Sequence, residues 1–138
     1  MNFVKHVLGK LFDSHNAWIF RIEYVVTYYT YLSLKDLKNH CDNNDDISLE
    51  KRKIEEILEF GKPLFQSKFR NCMMHYNLVG YDVLSQEYIG CPFYGMVETC
   101  FLGKTYHSYL NELRSLSDMI IDYLESRFDF SKIKLQEL

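Results

Sequence analysis

The middle of the chain reads Phe65-Gln66-Ser67-Lys68-Phe69-Arg70-Asn71-Cys72-Met73-Met74-His75-Tyr76-Asn77-Leu78-Val79. A helical spacing of about 100° per residue sorts these side chains onto two faces. The apolar face carries Phe65, Phe69, Cys72, Met73, Tyr76 and Val79. The opposite face carries Arg70, Asn71, Met74, His75 and Leu78. The stretch is therefore predicted to be an amphipathic helix that packs on a core and presents a polar side.

The polar side combines two groups that complement each other in acid–base chemistry. Arg70 carries a permanent positive charge, whereas histidine, present here as His75, changes its charge near neutral pH. Five residues of helix separate the two by about 140°, and Asn71 lies between them. This set suits an anionic substrate that needs a proton moved.

Length and composition indicate one soluble globular domain that covers residues 1–138. The chain is 47% apolar and 25% charged, and its two prolines and six glycines leave room for long helices. The aromatic share of 16% is high, which excludes a disordered chain. The net charge of -3 argues against broad, nonspecific binding of polyanions, so a nucleic-acid contact would need a local basic patch.

The four cysteines, at positions 41, 72, 91 and 100, show no Cys-x2-Cys spacing. Cys72 and His75 have a ligand-like spacing, but a structural zinc site would need a second pair. We therefore expect four reduced, buried thiols, and no metal or other cofactor. The chain shows no signal peptide and no apolar run of about 18 residues, so we expect a cytoplasmic protein that does not enter a membrane.

Helical periodicity recurs along most of the chain and predicts an all-α bundle of four or five helices. The predicted helices cover residues 2–12, 17–39, 49–60, 63–79 and 96–127, with a kink at Gly103. Residues 80–95 hold glycine and proline and are predicted to form one long loop. Apolar residues cover more than one side of the helix at 17–39, so it is expected to be central and widely buried.

The order Arg70, Asn71, three further residues and His75 resembles the Arg-x4-6-His motif of the ribonucleases in the HEPN superfamily. The resemblance also covers the length of the domain, its all-helical pattern, and the position of the motif on the third or fourth helix. It implies a HEPN-like helical bundle and a metal-independent endoribonuclease.

The resemblance also implies roles for particular residues. Arg70 would hold the RNA phosphate, His75 would act as acid or base, and Asn71 would orient either one or donate to the phosphate. The product would be a 2′,3′-cyclic phosphate. Lys68 would help to bind RNA, while a twofold homodimer would build the composite site through Met74 and Leu78. A toxin or antiviral defence role is implied, with an antitoxin or regulatory protein as a further partner.

Three alternatives remain open at this stage. A HEPN-like bundle can also serve as a non-catalytic dimerisation or nucleotide-binding module, because one fold hosts both kinds of function. The tyrosines between residues 24 and 31 could stack on bases, although their helical spacing favours a packed core. His107, beside Tyr106 and Tyr109, is a second candidate for the cleft.

Overall fold

A computed structural model of the chain describes residues 17–42, 48–75 and 94–127. The described residues form five α-helices and one 3-10 turn, with no strand, which confirms the predicted all-α fold. In chain order these are α1 (Ala17–Asp42), α2 (Ser48–Gly61), the 3-10 turn (Lys62–Leu64), α3 (Ser67–His75), α4 (Tyr94–Cys100) and α5 (Tyr106–Glu125). The predicted helix at 2–12 and residues 80–93 of the predicted loop lie outside the described residues.

Three long helices form the framework that carries the rest of the described structure. Helices α1, α2 and α5 contact one another, α3 packs against α1 and α4, and α4 packs against α5. The core buries apolar side chains from every helix, among them Phe20, Ile54, Phe69, Met96 and Leu116. Each fully buried side chain of this size contributes about 1.5–3 kcal/mol. No helix in the described part of the chain is long and apolar enough to cross a membrane.

Two polar contacts fix the position of α1 along α5. The Arg114 guanidinium donates to both carboxylate oxygens of Glu23, at 2.9 and 3.2 Å. Glu23 is 8% exposed, so its charge needs this partner. About one turn further along α1, the hydroxyls of Thr27 and Ser117 share a hydrogen bond of 2.8 Å. These contacts determine which side of α1 faces α5, and therefore which side can contact α3.

The predicted continuous helix over residues 63–79 is wrong at its start. Pro63 belongs to the 3-10 turn, and Phe65 leaves helical geometry with φ -114° and ψ 58°, so that α3 begins only at Ser67. The buried hydroxyl of Tyr109 donates to the carbonyl of Leu64 at 2.8 Å. This contact docks the turn on α5 and stops it from continuing the helix.

The predicted single helix over residues 96–127 is in fact two helices. Gly103 has a φ of +81°, a conformation that reverses the chain where the prediction placed only a kink. Thr105 then starts α5, because its side-chain oxygen accepts a hydrogen bond from the backbone N–H of Ser108 at 3.2 Å. Tyr94 and Gly95, predicted to lie in the long loop, are buried residues of α4.

The expectation that α1 is central and widely buried is confirmed only in part, because α1 contacts three helices but one of its sides is exposed. Trp18, Ile22 and Tyr29 are 60%, 40% and 58% exposed, and we call these three residues the outer stripe. They lie within about 40° of one another around the helix. Helices α2, α3 and α5 contact other sides of α1, and the outer stripe stays 40–60% exposed.

Candidate active site

Burial confirms the two predicted faces of α3 for most of the residues described; Tyr76, Leu78 and Val79 lie outside the described residues. Phe69, Cys72 and Met73 are buried, whereas Asn71 and His75 are exposed. Residues three and four positions apart stand on one side of a helix, which explains the separation. The polar residues of the motif therefore project away from the core on a helix of nine residues.

Aromatic rings hold the buried face of α3 in place. The ring of Phe69 lies 5.3 Å from Tyr24, 5.1 Å from Phe101 and 5.3 Å from Tyr109 between centroids, each in an edge-on arrangement. Such pairs contribute about 0.5–1.5 kcal/mol beyond burial. Burial also raises the pKa of Tyr24 far above its ordinary value, so this phenol stays protonated and serves as core.

The guanidinium of Arg70 is oriented by two side chains. Its Nη1 donates to the hydroxyl of Tyr28 at 3.4 Å, and its Nη2 donates to Oδ1 of Asn71 at 3.2 Å. The hydrogen bond with Tyr28 raises the pKa of Arg70 above its already high ordinary value. An arginine has five N–H donors. Within the described residues only two of the five are used, which leaves an oriented cation with donors to spare.

Arg21 of α1 binds the C-terminal end of α3. Its Nε donates to the carbonyl of Met73 at 2.5 Å, and its Nη2 donates to the carbonyl of Met74 at 3.1 Å. Carbonyl groups point toward the C-terminal end of a helix, and the dipole there favours a cation. Arg21 therefore stabilises the backbone immediately before His75.

His75 is the last residue of α3, and its side chain is exposed. It lies five residues from Arg70, or about 7.5 Å along the helix axis. Asn71 sits between them and already holds Arg70. One chain therefore places one guanidinium and one imidazole on the polar side of a single short helix.

The remaining predicted site residues are placed as follows. Lys68 is exposed on α3. Met74 is half-buried and packs against the core of its own chain, so only part of its surface is left for a partner. Leu78 lies outside the described residues. His107 is exposed, with its ring 6.2 Å from Tyr94 and 5.6 Å from Tyr106 between centroids.

The cysteines and tyrosines of the sequence can be compared with their predicted roles. Cys41 and Cys72 are buried and form no disulfide within the described residues, while Cys100 is only half-buried and its pKa is raised by that burial. Cys91 lies outside the described residues. In the described part of the chain, no three His, Cys, Asp or Glu side chains come together. Tyr24 is a core residue, as the helical spacing of the tyrosines predicted, whereas Tyr29 is exposed.

Sequence reasoning missed Arg21 and Tyr28 as parts of this site. Both contact α3 across 42 to 53 residues of sequence, a separation that no local pattern records. One signal was present: Arg21 is a charged residue inside the largely apolar run at 18–26. A charge in such a run requires a partner, and here the partner is the end of the motif helix.

Comparison of the chain with protein-family models, with curated proteins and with solved structures gives no match.

The contact between Arg21 and α3 can be tested by Arg21→Gln, which removes the guanidinium group and its positive charge. Hydrogen bonds to charged groups contribute about 1.5–3 kcal/mol, so we expect the free energy of unfolding to fall by that amount. Urea denaturation followed by circular dichroism measures the change. The control is Arg52→Gln, because Arg52 pairs with Glu56 at a side-chain exposure of 79%. That variant should lose about 0.5 kcal/mol or less, and an equal loss in both variants would contradict the role of Arg21.

Proposed function

We propose that this chain is a metal-independent endoribonuclease of the HEPN type, with Arg70, Asn71 and His75 as its catalytic residues. The observation that best supports this proposal is the orientation of the Arg70 guanidinium and its unused N–H donors. Tyr28 and Asn71 orient its guanidinium, yet most of its donors have no partner within the described residues. A preorganised cation of this kind suits a phosphate whose charge grows in the transition state.

The proposed reaction uses the nucleophile that RNA itself supplies. The 2′-hydroxyl oxygen attacks the adjacent phosphorus, a bond forms between them, and the bond from phosphorus to the 5′-oxygen breaks. One His75 takes the proton from the 2′-hydroxyl, and a second His75 gives a proton to the departing 5′-oxygen. Arg70 stabilises the charge on the non-bridging oxygens. The products are a 2′,3′-cyclic phosphate and a 5′-hydroxyl.

The need for two imidazoles leads to a homodimer, because each chain supplies one His75. A twofold arrangement would bring two motif helices to one cleft. The outer stripe supports this arrangement, since exposed apolar side chains of this size commonly mark an interface. Arg21 and Tyr28, which contact α3, lie on the edge of α1 that adjoins the stripe. A partner that covers the stripe would thus also reach the polar side of α3.

One observation favours a second candidate, a non-catalytic dimerisation or nucleotide-binding module. A catalytic base is usually oriented by a third group, and no hydrogen bond to the imidazole of His75 occurs within the described residues. In the dimer proposed here, residues of the partner copy would supply that orientation. In a binding module, the imidazole of His75 would need no group to orient it.

The biological setting belongs to the same proposal. A ribonuclease of this kind would act in the cytoplasm as a toxin or an antiviral defence effector that halts growth. An antitoxin or regulatory protein would then be required to hold it in check.

Cleavage of labelled single-stranded RNA by the purified chain in excess EDTA tests the reaction. We expect fragments that end in a 2′,3′-cyclic phosphate, while DNA of the same sequence resists because it lacks the nucleophile. His75→Ala should slow cleavage by about 100-fold or more, the usual loss for a general acid or base. His40→Ala is the control, since His40 is an exposed histidine in the last turn of α1.

Two results would count against the nuclease. Cleavage that persists in His75→Ala would show that the activity has another source. Wild-type chain that leaves RNA intact, while still forming a dimer, would favour the binding module.

The dimer is tested by Trp18→Glu, which places a charge in the outer stripe. Sedimentation of the wild type should give twice the 16.6 kDa of one chain. The variant should sediment as a single chain and lose cleavage, because burying an unpaired charge opposes association. Leu102→Glu is the matched control, since Leu102 is 92% exposed in the turn between α4 and α5. A wild type that sediments as one chain while cleaving RNA would refute the composite site.

A further inference from the structure

Tyr28 stands beside the motif without belonging to it. Its hydroxyl oxygen accepts a hydrogen bond from Nη1 of Arg70 at 3.4 Å, and its side chain is half-buried. We infer that Tyr28 is a second phosphate-binding residue, whose hydroxyl donates to a non-bridging oxygen of the phosphate that Arg70 holds. This inference rests on the proposed function and extends it to a residue on another helix.

The hydrogen-bonding pattern of the phenol carries the inference. A tyrosine hydroxyl has one hydrogen to donate. Its oxygen faces a cation, so the hydrogen must point elsewhere. Within the described residues, Tyr28 has no acceptor for that hydrogen. An unused donor next to an oriented guanidinium with unused donors forms a compact site for an anion.

The ring of Tyr28 is held so that this hydroxyl has a defined position. It stacks parallel to Tyr24, with centroids 6.2 Å apart and planes 6° apart, and it meets Phe65 edge-on at 5.1 Å. A donor on a packed ring loses little conformational entropy when it binds a ligand. The hydroxyl is therefore preorganised in the same way as the guanidinium.

The neighbouring tyrosines of α1 differ from Tyr28 in this respect. Tyr24 is fully buried, and Tyr31 donates to the carbonyl of Leu58 at 3.1 Å. Tyr29 is 58% exposed and belongs to the outer stripe. Of these four residues, Tyr28 alone has a hydroxyl bonded to the motif arginine. In the proposed role Tyr28 binds phosphate and transfers no proton.

The test compares Tyr28→Phe with Tyr31→Phe, since both variants remove one hydroxyl and keep the ring, and the hydroxyl of Tyr31 bonds to Leu58 instead of the motif. The probe is a fluorescent single-stranded RNA oligonucleotide with 2′-fluoro groups, which cannot be cleaved because it lacks the 2′-hydroxyl. Loss of one hydrogen bond to a charged oxygen should weaken binding of the probe by about tenfold or more in Tyr28→Phe. Tyr31→Phe should bind the probe about as tightly as the wild type.

A double variant separates direct binding from an effect exerted through Arg70. If Tyr28 contacts the phosphate itself, Tyr28→Phe still weakens binding severalfold when it is added to Arg70→Ala. If the loss disappears in that background, Tyr28 only positions the arginine and the inference is wrong. Unchanged thermal unfolding of Tyr28→Phe ensures that binding, and not folding, is compared.

The outcomes also distinguish this inference from the ribonuclease proposal. Weaker probe binding by Tyr28→Phe, in a chain that never cleaves natural RNA, would support the phosphate site and refute the nuclease. Equal binding by Tyr28→Phe and the wild type, with cleavage that depends on His75, would refute the role of Tyr28 alone. A wild type that does not bind the probe would overturn both.

Discussion

The candidate site depends on the hydrogen bonds from Arg21 to the carbonyls of Met73 and Met74. Within the described residues, α3 spans Ser67–His75 and packs against α1 and α4. The guanidinium of Arg21 donates to two carbonyls in the last described turn, and a cation at the carbonyl-facing end of a helical segment is favourable. The backbone that carries His75 is held from a different helix.

Helix α1 consequently controls both ends of the motif. Arg21 and Tyr28 are seven residues apart and lie about 20° from each other around the helix. The same side of α1 therefore contacts α3 at two positions along the axis of α1. Tyr28 contacts Arg70 near the middle of α3, while Arg21 holds the last turn. The ring of Phe69 fixes the opposite, buried face. Any shift of α1 would move the guanidinium and the imidazole together, which makes the packing of α1 on α3 part of the functional geometry.

The sequence predicted what local periodicity can encode. The all-α fold and the two faces of α3 follow from apolar spacing, and the bounds of α2 were predicted to within one residue at each end. Spacing could not reveal the positive φ at Gly103, which splits a long apolar pattern into two helices. It could not show which apolar side of α1 stays uncovered, because that depends on where the other helices pack. Arg21 and Tyr28 were missed for the same reason: their partners are distant in sequence.

The most direct test of the account is a crystal structure of the chain with an RNA dinucleotide whose attacking 2′-hydroxyl is replaced by hydrogen. We expect two copies related by a twofold axis, with the phosphate within hydrogen-bond distance of Arg70 and of an imidazole at His75. A phosphate bound elsewhere, or motif helices of the two copies that face away from each other, would contradict it.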